Sequence, residues 1–120
     1  MRLHEIEFGA NNPIGISEML AAALGLPIKL SENTLTVFDT GNQGVDFNVA
    51  NHLPDGTVRI SFITDDLQAV VNRFKSQQIS FEGPYESHLS MMAIKFVTPN
   101  GIHIVINTPT DSSPEWLKAK

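Results

Sequence analysis

The chain has no cysteine. Disulfides, thiolate metal sites and a cysteine nucleophile are therefore excluded. It also lacks a basic run: eight Lys and Arg are scattered among 13 Asp and Glu, for a net charge of −5. A phosphate-binding surface needs clustered cations, so neither nucleic acid nor an anionic membrane is an expected partner. No apolar stretch approaches the roughly 18 residues that span a bilayer. The opening "MRLHEIEF" enters a strand pattern at once, with no signal-peptide pattern before it, and the expected location is the cytoplasm. A phosphate-cradling Gly-rich loop, a nucleophile elbow and a helical His pair are missing as well. "GANNPIG" contains glycines but not at the spacing of a phosphate loop.

What is present is the pattern of one globular domain. The 120 residues, 42% hydrophobic and 18% charged, suffice for one core but not for two independent ones. The pattern is stated twice. "RLHEIEFG" alternates as a half-buried strand, and Ile16, Met19, Leu20, Ala23 and Leu24 then recur at helical spacing with Gly25 as C-cap. "LTVFD" and "GVDFNVA" supply two short strands. The second half opens on "TVRISFIT" and continues with a helix stripe of Leu67, Val70, Val71 and Phe74. Asp65 is the expected N-cap of that helix, with Gln68 completing a capping box. "ISFEGPY", "MMAIKFVT" and "GIHIVIN" give the remaining strands, the last two joined at Asn100-Gly101, read as a tight turn with two positive-φ positions.

Each half thus reads strand, helix, then two or three strands, taken as a βαβββ module over residues 1–52 and 56–108, with "NHLPDG" between them and a polar tail at 109–120. A repeat of about 50 residues implies two copies of one supersecondary unit. One helix covers one face of a sheet, so two copies are expected to pair into an open, barrel-like α+β sheet with helices outside and a groove inside. The tail "TDSSPEWLKAK" is expected to be loosely attached. Its Trp116 either pins it onto a partner subunit or sits exposed. His52 and His88 fall in loops and are expected to face solvent.

This pattern resembles the vicinal oxygen chelate superfamily of glyoxalase I, extradiol dioxygenases, and fosfomycin- and bleomycin-resistance proteins. The resemblance rests on "AAALGLP", on "VRISFITDDLQAVVNRFKSQQI" and on "AIKFVTPNGIHIVI", which is similar to the family's "F-x-D-P-x-G-x-x-x-E" ending. In metal-dependent members four inward strand residues, two per half, hold a divalent ion. Carried over singly, those positions are Glu5, then Phe47 or Asn48, then Arg59, then Val105. His4 is set aside because it is in phase with Ile6 and Phe8. Only Glu5 is a strong ligand, and a guanidinium has donors only. The resemblance therefore implies no metal and no cofactor at the usual site. It implies instead a Glu5–Arg59 ion pair there.

His103 is in phase with Val105 and so shares its face; it is either a proton-transfer group for a bound molecule or a rim residue bonded to water. Glu7, Ser61 and Phe47 are read as groove-lining or solvated. Met91 and Met92 place one Met on each face of their strand, with Met92 as core filler or a ligand platform. The implied function is metal-independent binding of a small, partly apolar molecule by Glu5, Glu7, Phe47, Asn48, Arg59, Ser61, Met92, His103 and Val105, in a homodimer and without catalysis. The alternative is a divergent metal-dependent lyase, isomerase or dioxygenase using Glu5, Glu7 and His103. A third reading is an interaction module whose groove is filled by Phe47, Met92 and Arg59.

Overall fold

A computed structural model describes residues 1–118. The fold is α+β. In chain order the elements are β1 (Arg2–Gly9), α1 (Pro13–Leu24), β2 (Ile28–Ser31), β3 (Leu35–Phe38), β4 (Asp46–Ala50), β5 (Val58–Ile63), α2 (Leu67–Ser76), β6 (Glu82–Glu86), β7 (Met92–Val97) and β8 (His103–Thr108). Two compact units form, one from His4–Ile60 and one from Met1–Leu3 with the chain from Ser61 onward. The division falls inside β1 and β5, whereas the sequence suggests the "NHLPDG" loop. Loop 51–57 belongs to the first unit because it is bonded to β1: Gly9 N–H donates to Thr57 O at 2.8 Å, and Gly56 N–H to Gly9 O at 2.9 Å. Glycine is required at position 9, since a Cβ there would lie 2.0 Å from Pro54 O. Among the described residues no helix is long and apolar enough to cross a membrane.

In the first unit the hydrogen-bonded strand order is β2-β3-β4-β1. β4 runs parallel to β1 with Ile6 opposite Phe47 and Glu7 opposite Asn48, while β2-β3 and β3-β4 are antiparallel. Cross-strand partners share a face and faces alternate along a strand. One face carries Phe38 and Val49, which pack with Leu20, Ala21, Leu26 and Phe47 beneath α1. Phe47 stacks on Phe38 at 5.1 Å and meets Phe8 edge-on at 5.4 Å, the geometries that aromatic quadrupoles favour. Phe47 is therefore a core residue and not part of a groove, a correction to its expected place. The opposite face carries Glu5, Glu7 and Asn48.

The helix α1 departs from expectation. Asn12 caps its start, accepting from Gly15 N–H, and Gly25 ends it at φ +68°. Its buried positions are Pro13 and Ser17, with Leu20 and Ala21 against the core. Ile16, Met19 and Leu24 turn outward, with Met19 60% and Leu24 57% exposed. Nearly every residue of "PIGISEMLAAAL" is apolar or small, so hydropathy leaves the orientation of the helix open and the small residues take the sheet side.

In the second unit the order is β8-β7-β6, antiparallel throughout. The expected helix stripe holds: Leu67, Val70, Val71 and Phe74 pack on Ile94 and Ile106, with Phe81, Met92, Phe96 and Ile104 around them. Met92 thus faces α2, on the other side of its strand from the expected groove. The N-cap is Asp66, whose carboxylate accepts from Ala69 N–H at 3.0 Å; Gln68 bonds Asn72 instead of closing a capping box. The β7-β8 connection is a five-residue loop. Gly101 N–H donates to Thr98 O, and only Gly101 in it has positive φ. The Thr98–Gly101 bond makes Pro99 and Asn100 the central residues of the turn, one place earlier than expected, and Pro99 pre-sets the negative φ of its first central position.

The tail is not loose over its described part. Residues 119 and 120 lie outside the described residues. Glu115–Lys118 form a 3₁₀ turn, and Leu117 is 1% exposed against Ile63 and Met91. Trp116 is exposed. Leu117→Ala is expected to destabilise the protein by about 2–4 kcal/mol in urea unfolding, the cost of a buried Leu truncation.

Candidate functional site

The face of the first unit's sheet away from α1 gathers five polar side chains. β1 supplies Glu5 and Glu7, one pleat apart on the same side. β4 supplies Asn48, directly opposite Glu7. β5 supplies Arg59, and the loop after β4 supplies His52. Glu7 is the centre of the group and is 3% exposed. Arg59 Nη2 donates to its Oε1 at 2.6 Å, and His52 Nε2 reaches the same oxygen at 2.8 Å. Arg59 Nη2 and His52 Nε2 lie 3.3 Å apart as two donors converging on one acceptor. To donate, His52 must carry its proton on Nε2. Asn48 Nδ2 lies 3.5 Å from the second oxygen of Glu7.

Glu5 is placed differently. It accepts from Asn48 Nδ2 at 2.7 Å. Its pKa is raised from the ordinary 4.5 to about 7, first by burial and then by the neighbouring Glu7 carboxylate; Asp46 adds to the rise, while Arg59 and the Asn48 hydrogen bond oppose it. The expected Glu5–Arg59 ion pair is corrected: Arg59 acts on Glu5 only through its charge, and its direct partner is Glu7. Two buried atoms of this group have no partner among the described residues, Asn48 Oδ1 and Arg59 Nε. Asn48 itself is 4% exposed.

The same face is apolar at its other end. The register places Leu30 opposite Val37, Val37 opposite Asn48, and Asn48 opposite Glu7. A bulge between Ile28 and Leu30 turns Leu30 onto this side. One row across four strands therefore reads Leu30, Val37, Asn48, Glu7, from hydrocarbon to charge.

The structure brings together Glu5, Glu7, Asn48 and Arg59 from the expected set. Ser61, Val105 and His103 belong to the second unit. There Ser61 and Val105 are buried, and His103 is half-buried opposite Val97 at the hairpin end. Sequence reasoning gives His52 only as a solvent-facing loop residue. Its ring is half exposed yet bonded to a buried carboxylate. The sequence signal for it is Gly9, whose missing side chain admits the loop that carries His52 along β1.

Comparison with solved structures defines the class of fold. A glyoxalase/bleomycin resistance protein/dioxygenase superfamily member from Vibrio splendidus 12B01 is 15% identical, with TM-score 0.65 over 90% of this chain and 98% of that one. A single-residue variant of methylmalonyl-CoA epimerase from Streptomyces coelicolor is 12% identical, with TM-score 0.60 over 95% and 98%. A chain described as NAD-dependent benzaldehyde dehydrogenase from Legionella pneumophila is 15% identical, with TM-score 0.64 over 88% and 98%. No family profile and no curated protein matches the sequence. The fold is that of the vicinal oxygen chelate proteins. At these identities the likeness carries the fold and no particular activity.

A divalent ion at the position implied by that fold does not fit these residues. Among the described residues no group of three or more His, Asp or Glu is gathered as a metal site. The carboxylate oxygen of Glu7 that a cation would need is already held by a guanidinium, and Asn48 turns its NH2, not its oxygen, toward Glu5.

The Arg59–Glu7 bond and the raised Glu5 pKa each have a measurable consequence. Arg59→Ala is expected to destabilise the fold by less than the roughly 3–5 kcal/mol of a fully buried pair, because Arg59 is partly exposed and His52 still donates to Glu7; urea unfolding measures this. Because the folded pKa of Glu5 lies above its ordinary value, the folded chain holds that proton more tightly between pH 4.5 and about 7. The Glu5 contribution to stability therefore falls as pH rises through this window. Glu5→Gln removes that slope, seen as a flatter melting temperature from pH 5 to 8.

Proposed function

We propose that this chain binds a small, partly apolar molecule on the face of its first unit's sheet away from α1, without a metal. The observation that carries the reading is the Leu30–Val37–Asn48–Glu7 row, which sets an apolar surface beside buried, incompletely bonded polar groups. Binding sites pair apolar walls with a few placed polar anchors in this way. A ligand laid across the strands would set its hydrocarbon over Leu30 and Val37 and its polar head on Asn48 and Glu5. Glu7, locked by Arg59 and His52, would serve as the rigid support beneath that head. The expected homodimer, in which a partner completes the groove, and the cytoplasmic location stay within this proposal on the strength of the resemblance alone.

A proton-transfer enzyme is the second reading, and Glu5 titrating near neutrality is the observation on its side. The methylmalonyl-CoA epimerase likeness is compatible with it at the level of fold.

Metal content and binding separate these readings. Protein purified without chelator is expected to hold only substoichiometric zinc, nickel, manganese or iron, and to melt at the same temperature with and without EDTA. Short amphiphiles are expected to shift the amide resonances of Val37 and Asn48, and Val37→Asp to abolish those shifts. Stoichiometric metal whose removal lowers the melting temperature would overturn the binding proposal.

A further inference from the structure

The two helices differ where they leave their sheets. Off the sheet, α2 carries Gln68, Asn72, Arg73 and Lys75, a water-facing surface. There α1 carries Ile16, Met19 and Ala23 in one stripe, and the whole helix has a single charge, Glu18. A helix that is apolar all round is ordinarily a buried one. Leu24 is unusual in another way. It lies two turns beyond Ser17 and shares its phase, toward the sheet, yet Leu24 is 57% exposed and Ser17 2%. The first unit's own sheet does not reach Leu24.

The strand that follows is uncovered too. Among the described residues β2 has one hydrogen-bonded neighbour, β3. Glu32 N–H donates to Leu35 O and Leu35 N–H to Glu32 O, so alternation turns the N–H and C=O of Ser31 outward, away from β3. The bulge sets apolar residues on both sides of the strand. Ile28, opposite Phe38, is on the α1 side, and Leu30, opposite Val37, is on the other; they are 43% and 44% exposed. Apolar side chains on both faces suit an interior strand, not an end strand. End strands are normally guarded. In the second unit the end strand β6 carries Pro84 between Glu82 and Glu86. β2 is short and bulged, but it has no proline or acid, and its one cation, Lys29, is drawn back onto Asp46 at 3.5 Å. Of the eleven large apolar residues exposed among the described residues, six lie within residues 14–30.

We infer that α1 and β2 form the interface between two copies of this chain, with β2 of each pairing antiparallel across a two-fold axis. The inference names the surface of the homodimer expected under the proposed function and rests on that reading for nothing else. A cover for this patch must supply backbone partners for a strand edge and apolar contact on each side of it. A second β2 with its own α1 supplies all three. An axis perpendicular to the sheet keeps both α1 helices on one side, that of Leu24 and Ile28, and continues the sheet beneath them. With Leu30 on the axis it faces the partner's Leu30, and the row that runs to Glu7 lengthens at its apolar end. Lys29 then stands opposite the partner's Ser31, so no charged strand residue meets its own copy. That matters for self-association of a chain of net charge −5. A lipid surface would cover the apolar side chains but offers nothing to the strand edge.

Because the chain has no cysteine, an introduced thiol reports on one position alone. Leu30→Cys is expected to cross-link the dimer under mild oxidation, since opposed residues of a non-hydrogen-bonded pair hold their Cα atoms about 4.5 Å apart, within disulfide reach. Ile79→Cys, similarly exposed in the second unit, is expected not to cross-link. Sedimentation of the unmodified chain is expected to show a monomer–dimer equilibrium with a dissociation constant on the order of micromolar. Leu24→Asp, at an exposed position, and Ser31→Pro, which removes an outward N–H, are each expected to weaken it about a hundredfold, while circular dichroism still reports a folded chain. A chain that stays monomeric at concentrations on the order of a millimolar would overturn the interface and the homodimer together. A dimer that Leu30→Cys does not cross-link would overturn the interface and leave the homodimer to another surface. A monomer that floats with phosphatidylcholine vesicles would overturn it in favour of a lipid surface. None of these results touches amphiphile binding at Val37 and Asn48, which is read on the monomer.

Discussion

The bond between Arg59 and Glu7 is the constraint on which the polar face of the first unit depends. A carboxylate at 3% exposure must be bonded to donors or lose its charge. Here a guanidinium from β5 and an imidazole from the preceding loop meet the same oxygen. That convergence ties the first strand of the unit to its last and fixes where loop 51–57 lies. It also releases Glu5 from direct pairing. Two glutamates one pleat apart thus acquire different characters, one held by donors and one titrating near neutrality. Separating two carboxylates by environment is a general route to distinct chemical roles.

The fold explains why this face exists at all. Each unit carries one helix, and one helix covers one side of a sheet. In the first unit α1 takes the Phe38, Phe47 and Val49 side, and the alternation of the strands sends Glu5, Glu7 and Asn48 to the other. In the second unit α2 takes the Ile94 and Ile106 side with Met92. Solved proteins of widely different description share this architecture at 12–15% identity. Function must therefore be argued from the side chains on the polar face, and among the described residues these are a cluster of acids, an amide and a guanidinium.

Much of the architecture is legible from pattern alone. The strands β1, β5 and β8 form where the pattern puts them and the stripe of α2 holds, but burial does not follow the strand alternation: Glu7 and Ser61 are buried while Ile6, Phe8, Ile60 and Phe62 are half-buried. The failures share a cause. In α1 the apolar residues are so many that no stripe stands out. At Asp65 and Asp66, two adjacent carboxylates compete for one cap, and the register of the following turn decides. At Asn100-Gly101 the turn centres one residue earlier, on Pro99 and Asn100, so a common dipeptide signal misplaces it. At Leu117 a single apolar residue in a polar tail gives periodicity no purchase, yet it fills a place beside Ile63 and Met91.

By itself the sequence determined the α+β class and the strand-helix-strands order stated twice, because these follow from local polar and apolar patterning; the strand β2, Ile28–Ser31, enters only with the structure. It also placed Glu5, Glu7 and Arg59 on strands of matching phase. Which carboxylate Arg59 would hold, whether Phe47 or Asn48 would face outward, and that His52 would join them were decided only in three dimensions. Those outcomes depend on parallel register between β1 and β4 and on the approach of a loop to Gly9. Both are contacts between residues about 40 positions apart, which no local pattern encodes.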